Sequence, residues 1–147
     1  MVARRRGHII NSASVAGMRA GPGQALYAGT KFAVLGLSTA LADEYAAAGI
    51  EVSCVMPTFT NTELIAGTKT GGMTAPVEPE DIAAAVVKVL DKPKTAVSVP
   101  YPLRFIAAGT AFLPPRGRRW LSDKMGTSRV FLDLDTTARA DYERRAQ

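Results

Sequence analysis

Residues 49–57 of the chain read Gly-Ile-Glu-Val-Ser-Cys-Val-Met-Pro, and this stretch decides the fold class. Residues 50–56, which are mostly apolar, predict a strand; the leading glycine is suited to end a preceding helix, and the proline ends the strand. Two further runs, at residues 7–12 and 96–99, also read as short strands. We therefore expect three strands along the chain.

Two helices are predicted between these strands. The first runs from about Gln24 to Ala48, and the second can begin at Pro79, where acidic residues suit the positive end of a helix. The apolar stripe of the first helix comprises Ala33, Leu37, Ala40 and Leu41, and that of the second Ile82, Val86 and Val89. The alternating order predicts an α/β fold of three layers, a parallel sheet flanked by helices.

The rest of the chain gives weaker patterns. Residues 58–74 predict a glycine-rich loop with a short helix near 63–66, and residues 135–145 predict a surface helix. The chain is expected to form a single domain over residues 1–147, in which residues 1–100 are the core and residues 101–147 a C-terminal extension.

Composition narrows the class of protein. Hydrophobic residues make up 47% and charged residues 21% of the 147, which is ordinary for a globular domain. The one cysteine, Cys54, excludes an internal disulfide, is expected in the core and fits a reducing compartment, so we expect a cytoplasmic location. The N-terminal residues do not resemble a secretory signal, and no unbroken apolar run reaches the roughly 18 residues of a membrane span. A single histidine, His8, gives no basis for a metal site.

A tyrosine and a lysine lie four residues apart in the first predicted helix. Tyr27 and Lys31 share one helical face, so their polar ends can act on the same small volume. An ammonium group stabilises a nearby phenolate, and a tyrosine in such a place can exchange a proton with a carbonyl or alcohol oxygen. Ser14, at the end of the first strand, could hydrogen-bond the same oxygen. Taken alone, the Tyr-Lys pair is a weak motif that also occurs on ordinary helix surfaces.

Three motifs in order strengthen this interpretation. They are Ser-Ala-Ser-Val-Ala-Gly at residues 12–17, Tyr-Ala-Gly-Thr-Lys at residues 27–31, and the run at residues 49–57. In this order they resemble the short-chain dehydrogenase/reductase family, densely from residue 7 to 64 and more loosely to residue 99. The resemblance implies an NAD(P)-dependent oxidoreductase with a Rossmann fold, which moves a hydride between a nicotinamide and a carbonyl or alcohol substrate.

The resemblance also implies roles for single residues. Tyr27 matches the family's catalytic acid/base, Ser14 its catalytic serine, and Lys31 the lysine that tunes the tyrosine and binds the nicotinamide ribose. Pro57 matches the start of a Pro-Gly segment beside the nicotinamide, where this chain has Thr58 in place of the glycine. The remaining cofactor-binding candidates are Thr60 and Thr62, which match positions near the carboxamide and pyrophosphate and could alternatively cap a short helix.

Other parts of the family pattern are missing from this sequence. The glycine-rich turn that binds the dinucleotide and the charged residue that selects NAD or NADP are not found, and Gly-x-Gly occurs only at residues 21–23, in the wrong place. The family's Asn-Asn-Ala-Gly segment is also missing. We therefore expect the C-terminal half of a dehydrogenase, an incomplete, N-terminally truncated Rossmann fold, in which the choice between NAD and NADP stays open.

Partners and alternative functions follow from the same residues. The apolar stretch at residues 103–113 favours a lipid-like or otherwise apolar substrate, or membrane contact, and the resemblance implies a homo-oligomer in the full-length form. Arginines at residues 116–119 leave peripheral membrane contact open, whereas nucleic-acid binding is not expected because one basic cluster is usually a solvated face. The main alternative is a truncated, non-catalytic fragment that acts through protein or membrane interaction.

Overall fold

Three parallel strands form the sheet in the order β1-β2-β3. The computed structural model describes residues 1–68, 70, 75–133, 135 and 144. The strands are β1 (Gly7–Ser12), β2 (Ile50–Pro57) and β3 (Ala96–Val99). Gly7 pairs with Ile50, and Cys54 pairs with Ala96. All three strands coincide with the predicted ones to within one residue, and the predicted α/β fold with a parallel sheet is confirmed.

Four α-helices accompany the sheet in the described residues. They are α1 (Ala25–Tyr45), α2 (Pro79–Asp91), α3 (Leu103–Ala111) and α4 (Pro115–Lys124). Single 3-10 turns occur at Val2–Arg4, Val15–Gly17, Ala46–Ala48 and Glu63–Ile65. The two predicted crossover helices are α1 and α2, and the apolar stretch after residue 101 forms α3. The surface helix expected at residues 135–145 lies outside the described residues apart from Asp135 and Arg144, as do residues 69 and 71–74 of the predicted loop.

The central strand divides the core into two layers. Cys54 and Met56 pack with Val34 and Leu35 of α1. Val55, between them in sequence, packs on the opposite side with Val89 of α2. Successive side chains of a strand point to opposite faces, so helices cover both faces of β2. The predicted three-layer arrangement is therefore confirmed.

Local sequence explains where these elements begin and end. Pro79 occupies the first turn of α2, and Glu78 and Asp81 form a reciprocal capping box there. Gly49 has φ 71° after the turn that follows α1, and a Cβ atom at this position would lie 2.5 Å from the carbonyl oxygen of Arg5. This position therefore requires glycine, which agrees with its predicted role as a helix stop.

The predicted apolar stripe of α1 is wrong. Leu37 is 57% exposed, and Ala33 and Ala40 are exposed as well. The face that packs instead contains Ser38, whose hydroxyl donates to the carbonyl of Val34 and accepts a hydrogen bond from the Asn11 amide at 3.0 Å. The apolar residues of α1 are spread around the whole helix. Helical spacing alone therefore does not select the face that meets the sheet. The stripe predicted for α2 is confirmed, since Ile82, Val86 and Val89 all pack in the core.

Most of α1 lies away from the packed interior. By length and composition alone, the helical stretch Ala25–Ala48 is long and apolar enough to cross a membrane, with mean hydropathy 1.3, and 11% of that window is buried. Charged residues interrupt this stretch, which is why the sequence contains no unbroken apolar run of that length. A core helix of a soluble protein passes the same test. The exposed residues Leu26, Phe32 and Leu37 therefore mark an apolar surface that nothing in the described chain covers.

The sheet is open on one side in the described part of the chain. One edge of β1 has no neighbouring strand in the described residues. Open strand edges and large apolar patches favour aggregation or pairing with another chain.

We expect the isolated 147-residue chain to be marginally stable for these reasons. Circular dichroism on heating should show a broad transition below about 45 °C, or aggregation that depends on concentration. Cys54 supplies a second probe, because it is fully buried and burial raises the pKa of its thiol. Its labelling by a thiol reagent should follow the opening of the β2 layer. A sharp transition of a monomer at about 45–65 °C, with Cys54 protected throughout, would contradict this expectation.

Candidate active site

A cavity of about 630 Å³ lies at the carboxyl ends of the strands. Parallel α/β sheets bind ligands in this position, because the loops after the strands meet there. Six of the predicted site residues line the cavity, namely Ser14, Tyr27, Pro57, Thr58, Thr60 and Thr62. Lys31, the seventh, is not among the lining residues. The structure thus brings together side chains that are up to 48 positions apart in the sequence.

Ser14 is held at the start of the turn that follows β1. Its backbone is extended, with φ −166°, and its hydroxyl accepts a hydrogen bond from the amide of Ala16 at 3.1 Å. The same hydroxyl lies 3.4 Å from the carbonyl oxygen of Pro57 and donates to it. That contact is long for an O–H···O hydrogen bond, so the proton can be redirected to a stronger acceptor in the cavity. Ser12 lies at the exposed end of β1 and does not line the cavity.

Tyr27 lies in the first turn of α1 and is 47% exposed. Lys31 follows one helical turn later, with its Nζ atom 5.6 Å from the centre of the Tyr27 ring. At this distance the ammonium interacts with the ring of the tyrosine, as the four-residue spacing predicts. The hydroxyl of Thr30 donates a hydrogen bond to the Tyr27 backbone carbonyl at 2.7 Å, so its proton is already used within the helix.

The loop after β2 runs along the same cavity. The amide of Thr58 donates to the carbonyl of Val99 at 2.9 Å, so the strand pairing extends one residue past Pro57. Thr60 and Thr62 place their hydroxyls 3.4 Å from carbonyl oxygens of this loop, again at the weak end of the range. Thr62 occupies the N-cap position of the Glu63–Ile65 turn, but its side chain makes no capping hydrogen bond. The alternative interpretation of Thr62 as a capping side chain is therefore wrong.

A glycine allows Ser14 to lie close to α1. A Cβ atom on Gly17 would lie 2.6 Å from the carbonyl oxygen of Lys31 and 3.3 Å from the Lys31 Cβ. Real Cβ atoms do not approach backbone so closely, so any larger residue would push the turn away from the helix. The turn carries Ser14 and the helix carries Tyr27, and their relative position thus depends on Gly17.

The C-terminal extension supplies an apolar wall, of which the sequence pointed to the stretch at residues 103–113 but not to the residues after 120. The wall consists of Leu103, Ile106, Ala107, Met125, Val130 and Phe131. Phe131 stacks on Phe59 of the β2 loop, with ring centroids 5.3 Å apart. The Arg19 guanidinium donates a hydrogen bond to the Ser122 hydroxyl at 2.5 Å, although the two residues are 103 positions apart in the sequence. The apolar stretch after residue 101 indicates a helix where α3 lies. No local sequence pattern predicts a contact between residues that are 103 positions apart.

Other sites of the described chain show no comparable convergence. A second concavity, of about 650 Å³, lies at the opposite end of the sheet beside Arg4, Arg6 and His8. His8 lies there within hydrogen-bonding distance of the Ser53 hydroxyl, at 2.8 Å, so its ring contacts the neighbouring strand β2. No group of three or more His, Cys, Asp and Glu residues that could hold a metal ion occurs among the residues that the structure describes.

The first half of the chain, which contains most of the candidate site, is similar to known proteins. Residues 1–71 match the family model described as short chain dehydrogenase. This match, over just under half of the chain, supports membership of the short-chain dehydrogenase family. The family prediction is thereby confirmed, and the matched region contains Ser14, Tyr27, Lys31 and the threonines of the β2 loop.

Similar proteins support the same family membership. The chain is 39% identical over 67 residues to a 3-oxoacyl-[acyl-carrier-protein] reductase of Chlamydia muridarum, covering 46% of this chain and 27% of that protein. It is 31% identical over 119 residues to mouse (Mus musculus) estradiol 17-beta-dehydrogenase 11, covering 79% of this chain and 40% of that protein. The chain thus spans well under half the length of these relatives.

A solved structure supports the fold. Acetoin dehydrogenase from Salmonella typhimurium aligns with a TM-score of 0.56 and 22% identity, covering 78% of this chain and 47% of that chain. At this identity the likeness concerns the fold alone. It agrees with a Rossmann-like sheet and flanking helices.

Gly17 should be sensitive to the smallest enlargement. We expect Gly17→Ala to lower the free energy of unfolding by about 1–3 kcal/mol, because the added methyl group meets the Lys31 carbonyl. Gly36→Ala is the matched control: Gly36 lies in α1 with nothing within 4 Å of its Cβ position, so the change should be neutral or stabilising. Denaturant unfolding of both variants measures the difference, and equal effects would remove the close approach as a constraint.

Proposed function

We propose that this chain carries the proton-transfer site of an NAD(P)-dependent oxidoreductase acting on a carbonyl or alcohol substrate. The observation that supports the proposal is the shared cavity of Ser14 and Tyr27 at the carboxyl ends of the strands. The phenol and the hydroxyl are the two groups that a reacting oxygen requires, one to exchange a proton and one to orient it. The named relatives are a reductase and a dehydrogenase, which is consistent with this reaction class.

In the direction of carbonyl reduction, each group has one task. Ser14 donates a hydrogen bond to the carbonyl oxygen in place of its weak bond to Pro57. Tyr27 transfers its phenolic proton to that oxygen as the carbonyl carbon accepts a hydride, so that the C=O double bond becomes C–H and O–H. Lys31 stabilises the resulting phenolate through its positive charge. In alcohol oxidation the proton returns to Tyr27, and the hydride leaves the carbon.

A nicotinamide dinucleotide supplies or accepts the hydride when bound. The described residues suit only its nicotinamide end: the hydroxyls of Thr60 and Thr62 make only weak bonds within their own loop, and both line the cavity. Thr58 stands where the family has glycine, but its side chain also lines the cavity without closing it. Gly23, in the Gly-x-Gly of residues 21–23, precedes α1 but lies close to Phe131, since a Cβ atom at Gly23 would be 3.0 Å from the Phe131 Cβ. We assign no residue of this chain to the adenosine end or to the choice between NAD and NADP.

The walls of the cavity favour an apolar substrate. Ile106, Met125 and Phe131 face the space beside Tyr27, and the Phe59–Phe131 stack closes part of it. Burial against such a wall contributes roughly 25 cal/mol per Å² of apolar substrate surface. A large apolar ketone or alcohol gains far more from this wall than a small polar one.

The proposal is tested first by fluorescence titration of the purified chain with NADH and with NADPH, followed by turnover of an apolar ketone. If the chain alone shows no turnover, an upstream dehydrogenase half is added in trans. Tyr27→Phe should lower kcat by about 10²–10⁴-fold while leaving cofactor binding in place, since it replaces the phenolic hydroxyl group with hydrogen and leaves the aromatic ring unchanged. Tyr45→Phe is the matched control, because Tyr45 lies at the far end of α1 and does not line the cavity. Undiminished turnover by Tyr27→Phe would remove Tyr27 from its proposed role.

The substrate class has its own test. Ile106→Ala should raise KM for a long apolar ketone by about 10-fold, the value of roughly 1.4 kcal/mol of lost apolar contact, with kcat changed little. A small water-soluble carbonyl, which does not reach α3, should be unaffected. Leu90→Ala on α2 removes a similarly exposed aliphatic side chain away from the cavity and should change neither value. Equal losses for the large and the small substrate would argue against an apolar substrate wall.

A second candidate is a non-catalytic fragment that pairs with another polypeptide. The open edge of β1 and the exposed face of α1 favour it, because both present surfaces that a further protein layer would cover. This candidate predicts no saturable binding of NADH or NADPH and no turnover by the chain, alone or mixed with an upstream dehydrogenase half. Recovery of activity in that mixture, lost again with Tyr27→Phe, would rule it out.

A further inference from the structure

Helix α3 has two faces with different surroundings. Leu103 and Ala107 face the cavity. Phe105 and Phe112, seven residues apart on another face, are 57% and 91% exposed. Ala108 and Gly109 lie between them at helical spacing and are exposed as well. This second face consists of apolar residues, and its four members are exposed although Tyr101 and Arg104 contact Phe105 at one end.

Helix α4 follows after a two-proline break and places cations around an exposed aromatic ring. Trp120 is 62% exposed, and the Lys124 Nζ atom lies 5.1 Å from its ring centre. Arg116 is one turn before Trp120 on the same helical face, and Arg118 and Arg119 of the same helix are also exposed. Residues 101–125 contain five cationic side chains and one carboxylate, Asp123, for a net charge of +4. The whole chain has a net charge of +5, so most of its excess positive charge is concentrated here.

The start of α3 repeats the pattern of a cation beside an exposed ring. Tyr101 and Phe105 meet edge to face at 5.6 Å. The Arg104 guanidinium lies 4.9 Å from the Phe105 ring centre, and Lys94 lies 5.2 Å from that of Tyr101. Aromatic rings beside long cationic side chains are typical of protein segments that bind at a membrane–water interface.

We propose that α3 and α4 form a docking surface for an anionic lipid membrane. This lipid-docking surface consists of Phe105, Phe112 and Trp120, which would enter the interface, and Arg116, Arg118 and Arg119, which would contact lipid phosphates. The inference is independent of the chemistry at Tyr27. It places the apolar cavity, lined by the other face of α3, close to the lipid in which an apolar substrate would be dissolved.

Two other occupants explain fewer of the observations. A nucleic acid would use the arginines and could stack on Trp120, but it would leave the uncharged Phe105–Phe112 face in water. A second copy meeting this surface across a two-fold axis would bring two patches of charge +4 together, and like charges repel. An anionic membrane satisfies both the charge and the apolar face.

The test is flotation of the purified chain with two kinds of vesicle, phosphatidylcholine alone and phosphatidylcholine mixed with phosphatidylserine. We expect binding to the anionic vesicles that weakens as salt is raised. The triple variant Arg116→Gln, Arg118→Gln, Arg119→Gln should lower the partition coefficient by about 100-fold, since each charge near an anionic surface contributes about 1 kcal/mol. The double variant Phe112→Ser, Trp120→Ser should abolish flotation.

Matched controls separate the surface from charge and hydrophobicity in general. Arg4→Gln, Arg5→Gln, Arg6→Gln removes the same charge from the other end of the sheet, and Val87→Ser, Leu90→Ser removes two exposed aliphatic side chains from α2. Both should float like the unmodified chain. Circular dichroism verifies that every variant keeps the same helix content.

Several results would overturn the proposal. These are equal binding to neutral vesicles, equal losses in the control variants, or no flotation of the unmodified chain. Light scattering that shows a dimer broken by Phe112→Ser, Trp120→Ser would assign the surface to a second copy. Retention on single-stranded nucleic acid, lost in the arginine variant while vesicles stay unbound, would assign it to nucleic acid.

Discussion

Strand β2 is buried on both faces, and the rest of the structure depends on that constraint. It is the one described strand with a neighbour on each side, and helices cover it above and below. Residues 52–56 are consequently all buried. Burying this strand fixes where it ends, and its last residue, Pro57, offers the carbonyl that Ser14 contacts. The position of the candidate site thus follows from the packing of the sheet.

Much of this fold could be predicted because glycine and proline residues with specific backbone requirements mark where its helices begin and end. Gly49 has a positive φ that other residues adopt at a cost, and Pro79 together with Glu78 and Asp81 fixes the start of α2. The packing face of α1 could not be predicted, since the helix is apolar all round. A single tertiary contact, between Asn11 and Ser38, helps to decide it, and no helical period contains that information.

The candidate site divides in the same way. Ser14 and Tyr27 could be placed together from the order of motifs, and the structure puts both at one cavity, while their catalytic roles stay predictions. The apolar wall from the C-terminal extension could not be placed. Its position rests on contacts such as Arg19 with Ser122 and Phe59 with Phe131, which join residues more than seventy positions apart. Such pairs bring no local signal, since only the folded sheet makes them neighbours.

The dependence of chemistry on packing is tightest in α1. One side of this helix meets the sheet and the turn of Gly17, where the approach to the Lys31 carbonyl leaves no room for a methyl group. Away from the sheet the helix exposes Leu26, Phe32 and Leu37, and Tyr27 in its first turn is 47% exposed. A protein layer that covered the apolar side would lower the exposure of α1 and restrain the turn of helix that carries the phenol and the ammonium. Stability and proton transfer would then be set by the same contact, because the residues that need covering belong to the helix that holds Tyr27 and Lys31.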